Sequence, residues 1–194
     1  MLFGKSILAI IPVRLGSKRF RYKNLRTFKG KPLFLNTLKL AKRCKLIDKI
    51  IVSSENKKIS LRFDHTKNVF FRLRPERFAT DKTKASEVII DVLDNIKKKY
   101  DYFIYLQPTS PLRNIFDIES SLKKVIYKNK KSLISVTEKN CVPNGAIYIS
   151  KIDEYRKTKI FKNDLFSNYK MPKNRSVDID YVTDFEKAKR INFY

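Results

Sequence analysis

Apolar residues fall along this chain in short aliphatic runs that alternate with segments of helical periodicity. Residues 7–13 are almost continuously apolar, which is typical of a strand buried on both faces of a parallel sheet. Further strands are predicted at residues 49–54, 68–71, 102–106, 132–136 and 145–149. Apolar side chains spaced three or four positions apart predict helices. One helix is expected to start at Pro32, and another to cover residues 55–63. Three more are indicated by apolar stripes: Ile89, Val92, Leu93 and Ile96; Ile115, Ile118, Leu122 and Val125; and Val182, Phe185 and Ala188.

The order of these elements predicts the fold class. Strands joined by helices and short loops form βαβ units, so we expect an α/β fold with a mostly parallel sheet flanked by helices. No internal repeat or linker interrupts the pattern, and residues 1–194 are expected to form a single domain. Ligands bind such sheets at the carboxyl ends of the strands. The loops at 14–24, 53–55 and 107–113 each follow a predicted strand, so a site is expected there.

Composition limits the classes of partner. The formal net charge of +25 raises the possibility of nucleic-acid binding. The lysines are spread over nearly every segment, however, so a solvated basic surface that steers anionic substrates is the better interpretation, and no nucleic-acid partner is expected. No apolar run approaches the ~20 residues that span a bilayer. Cys44 and Cys141 lie far apart and form no pairing pattern, as expected of reduced thiols. The cysteines and the lack of a long apolar run together favour a cytoplasmic protein without a membrane partner.

Two sets of charged residues indicate possible chemistry. Asp178 and Asp180 are two apart in a segment of strand character, so their side chains should point to one side and could share a hard cation such as Mg²⁺. On their own they would more often be a solvated strand edge than a metal site. The loop after the first strand supplies cations that suit a polyanion, namely Arg14, Lys18, Arg19 and Lys23. Carboxylates at one end of the chain and a basic loop at the other suggest phosphoryl or nucleotidyl transfer.

A family resemblance is carried by motifs across nearly the whole chain. The segments are IIPVRLGSKR at 10–19 with Lys23 and Asn24, GKPL at 30–33, LRPE at 73–76 with ATD at 79–81, LQPTSPLR at 106–113, SVTE at 135–138, PNGAIY at 143–148 and SVDID at 176–180. In this order they resemble the acylneuraminate cytidylyltransferase family, the CMP–sialic acid synthetases. The loop at 14–24 matches neither a Walker A motif nor GxGxxG.

The resemblance implies a Rossmann-like domain of the glycosyltransferase-A type, the nucleotide-diphospho-sugar transferase architecture. It implies coupling of CTP to a nonulosonic acid with release of pyrophosphate. It places Mg²⁺ on Asp178 and Asp180, and it leaves the general base open between Asp180 and a metal-bound hydroxide. Catalytic groups implied are Arg14, Lys18, Lys23 and Asp180, and nucleotide-binding groups are Arg14, Asn24, Arg74, Ser86, Gln107 and Asn144.

The chain also departs from the family pattern. Phe20, Arg21 and Tyr22 stand where a proline is common, Ala85 replaces a usual serine, and Tyr181 and Val182 follow Asp180. Residues 138–142 replace a dimerisation arm of several tens of residues, so a monomer or weak homodimer is expected. Two alternatives stay open: another sugar nucleotidyltransferase of the same architecture, or a catalytically idle relative that binds only nucleotide or a partner.

Overall fold

The computed structural model describes residues 2–162 and 166–191. Within these residues the strands are β1 (Ile7–Pro12), β2 (Thr27–Phe28), β3 (Lys31–Pro32), β4 (Lys49–Ser54), β5 (Val69–Leu73), β6 (Tyr102–Tyr105), β7 (Ser132–Thr137), β8 (Pro143–Lys151) and β9 (Phe166–Met171). The α-helices are α1 (Leu33–Arg43), α2 (Ala85–Asp94), α3 (Ile115–Tyr127), α4 (Ile152–Thr158) and α5 (Val182–Arg190). Short 3-10 turns cover Lys23–Leu25, Lys57–Arg62, Glu76–Phe78 and Lys173–Arg175.

In the described part of the chain, the central sheet has seven strands in the order β5-β4-β1-β6-β8-β7-β9. The strands β5, β4, β1 and β6 are mutually parallel, and β7 is parallel to β9. Strand β8 is antiparallel to both neighbours, β6 and β7. The expected α/β fold with a mostly parallel sheet is confirmed, with one reversed strand that comes from the β7–β8 hairpin.

Successive side chains of β1 point to opposite faces of the sheet and pack against a helical layer on each face. Ile7, Ala9 and Ile11 belong to the core on one face with residues of α1 and α3, whereas Leu8 and Ile10 belong to the core on the other face with residues of α2 and α4. All five side chains are fully buried. Because successive strand residues point to opposite faces, a continuous apolar run is needed for a strand covered on both sides. Each fully buried aliphatic side chain of this kind contributes about 1.5–3 kcal/mol.

A third apolar cluster lies beside the amino-terminal loop and α5. It contains Phe20, Phe28, Leu33, Leu112, Ile179, Phe185 and Ala188. Phe20 packs edge-on against Phe185 with ring centroids 5.4 Å apart. Aromatic packing of this kind anchors the loop at the point where the family pattern has a proline.

Several elements differ from the sequence expectation. Residues 55–63 form only the 3-10 turn Lys57–Arg62, begun by Asn56, whose Oδ1 accepts the Lys58 amide at 2.9 Å. Strand β9 and helix α4 were not expected. Among the described residues, strand β9 pairs with β7 alone, at the edge of the sheet, and polar and apolar side chains are mixed along it, so it lacks the continuous apolar run of a buried strand. Helix α4 follows β8 without a loop and is only seven residues long, too short for a clear apolar stripe.

Residues 138–142 form a tight turn between β7 and β8. The Thr137 amide donates to the Val142 carbonyl at 2.8 Å, and the Cys141 amide donates to the Thr137 carbonyl at 3.0 Å. The expected short connection is therefore confirmed. Among the residues that the structure describes, no helix has the length and apolar character needed to cross a membrane.

Candidate active site

A cavity of about 240 Å³ opens at the carboxyl ends of β1, β5 and β6. Of the residues expected from sequence, it is lined by Arg14, Lys23, Asn24, Arg74, Gln107, Asp178 and Asp180. Loops from both ends of the chain meet here because the parallel strands all finish at this edge of the sheet. The structure thus brings most of the expected site residues together.

Three expected residues lie elsewhere. Lys18 lines a neighbouring cavity of about 750 Å³ that shares Thr80 and Asp81 with the first. Ser86 opens onto a different depression on the outside of α2, whereas Ala85 and Val88 line the main cavity. One position along a helix turns a side chain by roughly 100°, which directs Ser86 away from the cavity.

Asn144 is buried, and its amide group already has protein partners. Its Oδ1 accepts the Ser135 hydroxyl at 2.6 Å and the Ala146 amide at 3.2 Å, and its Nδ2 donates to the Ser176 hydroxyl at 3.0 Å. The placement is that of a residue that positions the 176–180 segment rather than one that faces a ligand.

The two aspartates lie on an extended segment that does not join the sheet. Ile179 between them is buried in the third apolar cluster, and its amide donates to the Thr109 carbonyl at 2.8 Å. Burial of the middle residue turns both neighbours toward the cavity, as the alternation of an extended chain requires. The expected common direction of Asp178 and Asp180 is confirmed.

Gly145 on β8 makes room for the carboxylate of Asp178. Its φ is +75°, and a Cβ placed there would lie 2.6 Å from Oδ2 and 3.0 Å from Cγ of Asp178. Any other residue would clash with the aspartate and strain the backbone. Gly145 of the PNGAIY motif therefore leaves the space that the Asp178 carboxylate occupies.

The electrostatics of Asp178 favour a nearby cation. Its side chain is open to the cavity, yet loss of surrounding water raises its pKa, and the charge of Asp180 raises it further; a hydrogen bond from Thr109 and the charge of Lys23 act in the opposite direction. A divalent ion would favour the ionised form of both carboxylates.

The donor set fits Mg²⁺, which takes one or two carboxylates and completes its shell with water and phosphate oxygens. Within residues 2–162 and 166–191 there is no cluster of three or more His, Cys, Asp or Glu suited to a metal. The remaining ligands would thus come from a substrate and solvent.

Asp180 is held by two cations. The Lys23 Nζ lies 3.1 Å from Oδ1 of Asp180 and also donates to the Ile179 carbonyl at 2.6 Å. The Arg19 Nη1 lies 3.3 Å from Oδ2 of Asp180. These pairs join the basic amino-terminal loop to the acidic segment across more than 150 positions of sequence.

Glu55 is a residue that sequence reasoning did not assign to the site. Its carboxylate accepts the Leu15 amide at 2.7 Å and the Arg74 Nη2 at 2.9 Å. Arg74 is buried, and its Nε has no partner among the described residues. The position of Glu55 directly after β4, in a loop at the ligand-binding edge, was the available signal.

Arg113 is a second missed residue, and it lies beneath the site. Its guanidinium donates to the carbonyls of Gln107, Ser110 and Ala146 at 2.8 to 3.1 Å and to the Thr37 hydroxyl at 2.8 Å. Burial lowers the pKa of Arg113 to about 9, although nearby carboxylates oppose the change. Arg113 fixes the loop that contains Gln107 to the strand that contains Gly145.

The sheet topology, with a loop-built cavity at the carboxyl ends of its parallel strands, defines a Rossmann-like α/β fold. Comparison with known proteins narrows this class, since a family model described as Cytidylyltransferase matches residues 8–191. The chain belongs to the cytidylyltransferase family.

Individual relatives agree with this assignment. The N-acylneuraminate cytidylyltransferase of Escherichia coli is 34% identical over 94% of this chain and 51% of its own length. The CMP-N,N'-diacetyllegionaminic acid synthase of Legionella pneumophila is 33% identical over 81% of this chain and 68% of its own length. The chain thus spans between about half and two thirds of the relatives it matches.

Solved structures show the same fold. A CMP:2-keto-3-deoxy-manno-octonic acid synthetase complexed with CTP superposes with a TM-score of 0.73, covering 95% of this chain and 97% of that one at 13% identity. A cytidylyltransferase from Leptospira borgpetersenii gives a TM-score of 0.70, covering 95% of this chain and 85% of that one at 18% identity. At these identities the likeness concerns the fold alone.

Proposed function

We propose that this protein couples CTP to a nonulosonic acid and releases pyrophosphate. The observation that carries the proposal is the single cavity lined by Arg14, Lys23, Asp178 and Asp180. The E. coli and Legionella relatives are named for sialic and legionaminic acid chemistry, and a Campylobacter jejuni pseudaminic acid cytidylyltransferase is 29% identical over 74% of this chain. All three names describe activation of nonulosonic acids.

In the proposed reaction the anomeric hydroxyl of the sugar attacks the α-phosphorus of CTP. A new phosphorus–oxygen bond forms, the bond to the bridging oxygen of the β-phosphate breaks, and pyrophosphate leaves with the negative charge. Lys23 points into the cavity and would stabilise charge on the transferred phosphoryl group. Asp180, which lines the same cavity, is the candidate acceptor of the hydroxyl proton.

Arg14 is positioned to exchange partners when CTP binds. Its Nη1 now pairs with Asp81 at 2.8 Å, and both side chains keep about a third of their surface exposed, at 31% and 39%. An exposed pair of this kind is worth roughly 0–1 kcal/mol. A triphosphate, with its higher charge, would displace Asp81 at little cost.

Mg²⁺ is the proposed cofactor, held by Asp178 and Asp180, and when bound it supplies positive charge to the phosphates. Gly145 and Thr109 keep Asp178 in place for this role. Lys18, Asn24, Arg74 and Gln107 stay predictions as nucleotide-contacting residues, whereas Ser86 and Asn144 do not line the cavity in this structure. Cys44 and Cys141 are both free thiols, which is consistent with a reducing cytoplasmic compartment.

The test is pyrophosphate release from CTP with a panel of free nonulosonic acids, with and without Mg²⁺. We expect activity that needs both CTP and Mg²⁺ and is abolished by Arg14→Ala. Arg62→Ala, an exposed arginine on the distant 3-10 turn, serves as the matched control. A protein that CTP stabilises against heat but that releases no pyrophosphate would instead be an idle nucleotide-binding relative.

A further inference from the structure

Arg19 pairs with the carboxylate of Asp180, a residue that lines the cavity, but is not itself among the lining residues. Its Nη1 is 3.3 Å from Oδ2 of Asp180, and its guanidinium lies 5.5 Å from the ring centroid of Tyr181. The side chains of Arg19 and Asp180 are 54% and 45% exposed. The Arg19 guanidinium is therefore exposed to solvent, and its contact with Tyr181 restricts its position.

The second cation at Asp180 differs in this respect. The Lys23 side chain is only 11% exposed, and its ammonium is already shared between Asp180 and the Ile179 carbonyl. Arg19, in contrast, has five N–H donors in a planar fork, of which, among the described residues, Asp180 takes one and the Tyr181 side chain another. A guanidinium with free donors suits bidentate binding of a second carboxylate.

The chemistry of the acceptor places a carboxylate near this point. In the ring form of a 2-keto sugar acid, the carboxylate is attached to the anomeric carbon, which also bears the attacking hydroxyl. The group that binds the carboxylate must therefore lie within a few ångströms of the group that receives the hydroxyl proton. Arg19 meets this condition because it contacts Asp180, the candidate base.

We propose that Arg19, held against Tyr181, binds the carboxylate of the 2-keto sugar acid and so selects acidic over neutral acceptors. This inference rests on the proposed function. The tight turn at residues 138–142 extends no segment from this hairpin over the acceptor, so a cation on the chain's own amino-terminal loop would supply this contact. Tyr181 would keep the guanidinium in place when Asp180 turns to the metal.

The experiment compares Arg19→Gln, Arg19→Lys and wild-type protein with free N-acetylneuraminic acid and with its methyl ester. The control is Arg26→Gln, because Arg26 is also exposed and stacked on an aromatic ring, that of Phe20 at 5.4 Å, but has no contact with Asp180 in the structure. Pyrophosphate release gives kcat and KM for each acceptor and for CTP. Equilibrium titration of the free acid in the presence of CMP gives binding without turnover.

We expect Arg19→Gln to raise KM for the free acid by about tenfold to a hundredfold, as loss of a charge-assisted pair does. KM for CTP and for the methyl ester should change little, so the preference for acid over ester should collapse. Arg19→Lys should recover part of the preference, and Arg26→Gln should keep it.

An unchanged preference in Arg19→Gln would overturn the inference, as would an equal loss for acid and ester. A rise in KM for CTP alone would place Arg19 on the triphosphate instead. Wild-type protein that binds CTP but uses neither N-acetylneuraminic acid nor any other free nonulosonic acid would overturn the proposed function, and this inference with it.

Discussion

Glu55 accepts the Nη2 of Arg74 at 2.9 Å, and with its other oxygen it accepts the Leu15 amide at 2.7 Å. One carboxylate thus ties the basic loop after β1 to a buried arginine that follows β5. The side chains are 15% exposed for Glu55 and 2% for Arg74. Because Arg74 lines the cavity while Glu55 stands behind it, the pair fixes the position of a candidate nucleotide-binding group.

We first predict that Glu55→Gln destabilises the protein by about 3–5 kcal/mol, because it leaves the buried Arg74 cation without its anion. Urea unfolding measures the change. Glu186→Gln is the matched control, since it removes an exposed carboxylate from a 3.3 Å pair with Lys189 and should cost about 0–1 kcal/mol. Equal losses in the two variants would show that the Glu55–Arg74 pair contributes no more than a surface contact.

The second prediction concerns Gly145, where a Cβ would lie 2.6 Å from the Asp178 carboxylate. Gly145→Ala should reduce turnover by about a hundredfold, because displacement of a catalytic group by roughly an ångström costs that much. Mg²⁺ affinity, measured by titration, should fall with it.

The variant Gly30→Ala is the control that separates the effect of backbone strain from the effect of the clash with Asp178. Gly30 also has a positive φ, +80°, but nothing lies within 4 Å of a Cβ there. Both alanine variants should lose about 1–2 kcal/mol of stability from the left-handed backbone. Activity should fall only for Gly145→Ala; a comparable fall in Gly30→Ala would mean that strain rather than the clash is responsible.

The third prediction is that Asp178→Asn lowers turnover by orders of magnitude without lowering stability. Surrounding protein and Asp180 raise the pKa of Asp178 in the folded state. An acid whose folded pKa is raised costs stability above that pKa and costs nothing below its unfolded value. In metal-free buffer at pH 7 the variant should therefore unfold at an equal or higher temperature than wild type.

The same pair of proteins supplies the pH test. At a pH below the ordinary aspartate range, both side chains are neutral and the difference in melting temperature should vanish. Added Mg²⁺ should stabilise wild type more than Asp178→Asn. Equal stabilisation by Mg²⁺ would remove Asp178 from the metal site.

The fourth prediction concerns assembly. The turn at 138–142 is closed by hydrogen bonds between Thr137 and Val142, so it extends no segment from the β7–β8 hairpin toward a partner. A stable interface usually buries more than ~1,000 Å² in total. We expect sedimentation at micromolar concentration to show a monomer or a weak dimer, and a tight dimer would mean that a different surface serves as the interface.

The sequence alone determined the main strands and helices because burial on a regular element leaves a period. The continuous apolar run of β1 and the stripes of α1, α2 and α3 each report which face is covered. Conversely, β9 mixes polar and apolar residues without a regular period and lies at the sheet edge, where burial imposes little pattern, so periodicity did not reveal it.

For the site, as for the fold, some features could be predicted from the sequence and others only from the tertiary structure. The family resemblance implied roles for Arg14, Lys23, Asn24, Asp178 and Asp180, and the structure brings all five to one cavity, while their roles stay predictions. Which neighbour faces the cavity was not readable from the motif, since one step along α2 exchanges Ala85 for Ser86.

Only the tertiary structure decided the pairs that hold the site together. Glu55 with Arg74, Arg19 with Asp180, and Gly145 with Asp178 join residues on separate loops. Sequence periodicity records whether a position is buried, but a polar contact depends on where two distant loops meet in space. That meeting is set by the strand order of the sheet, which packs both ends of the chain against one edge.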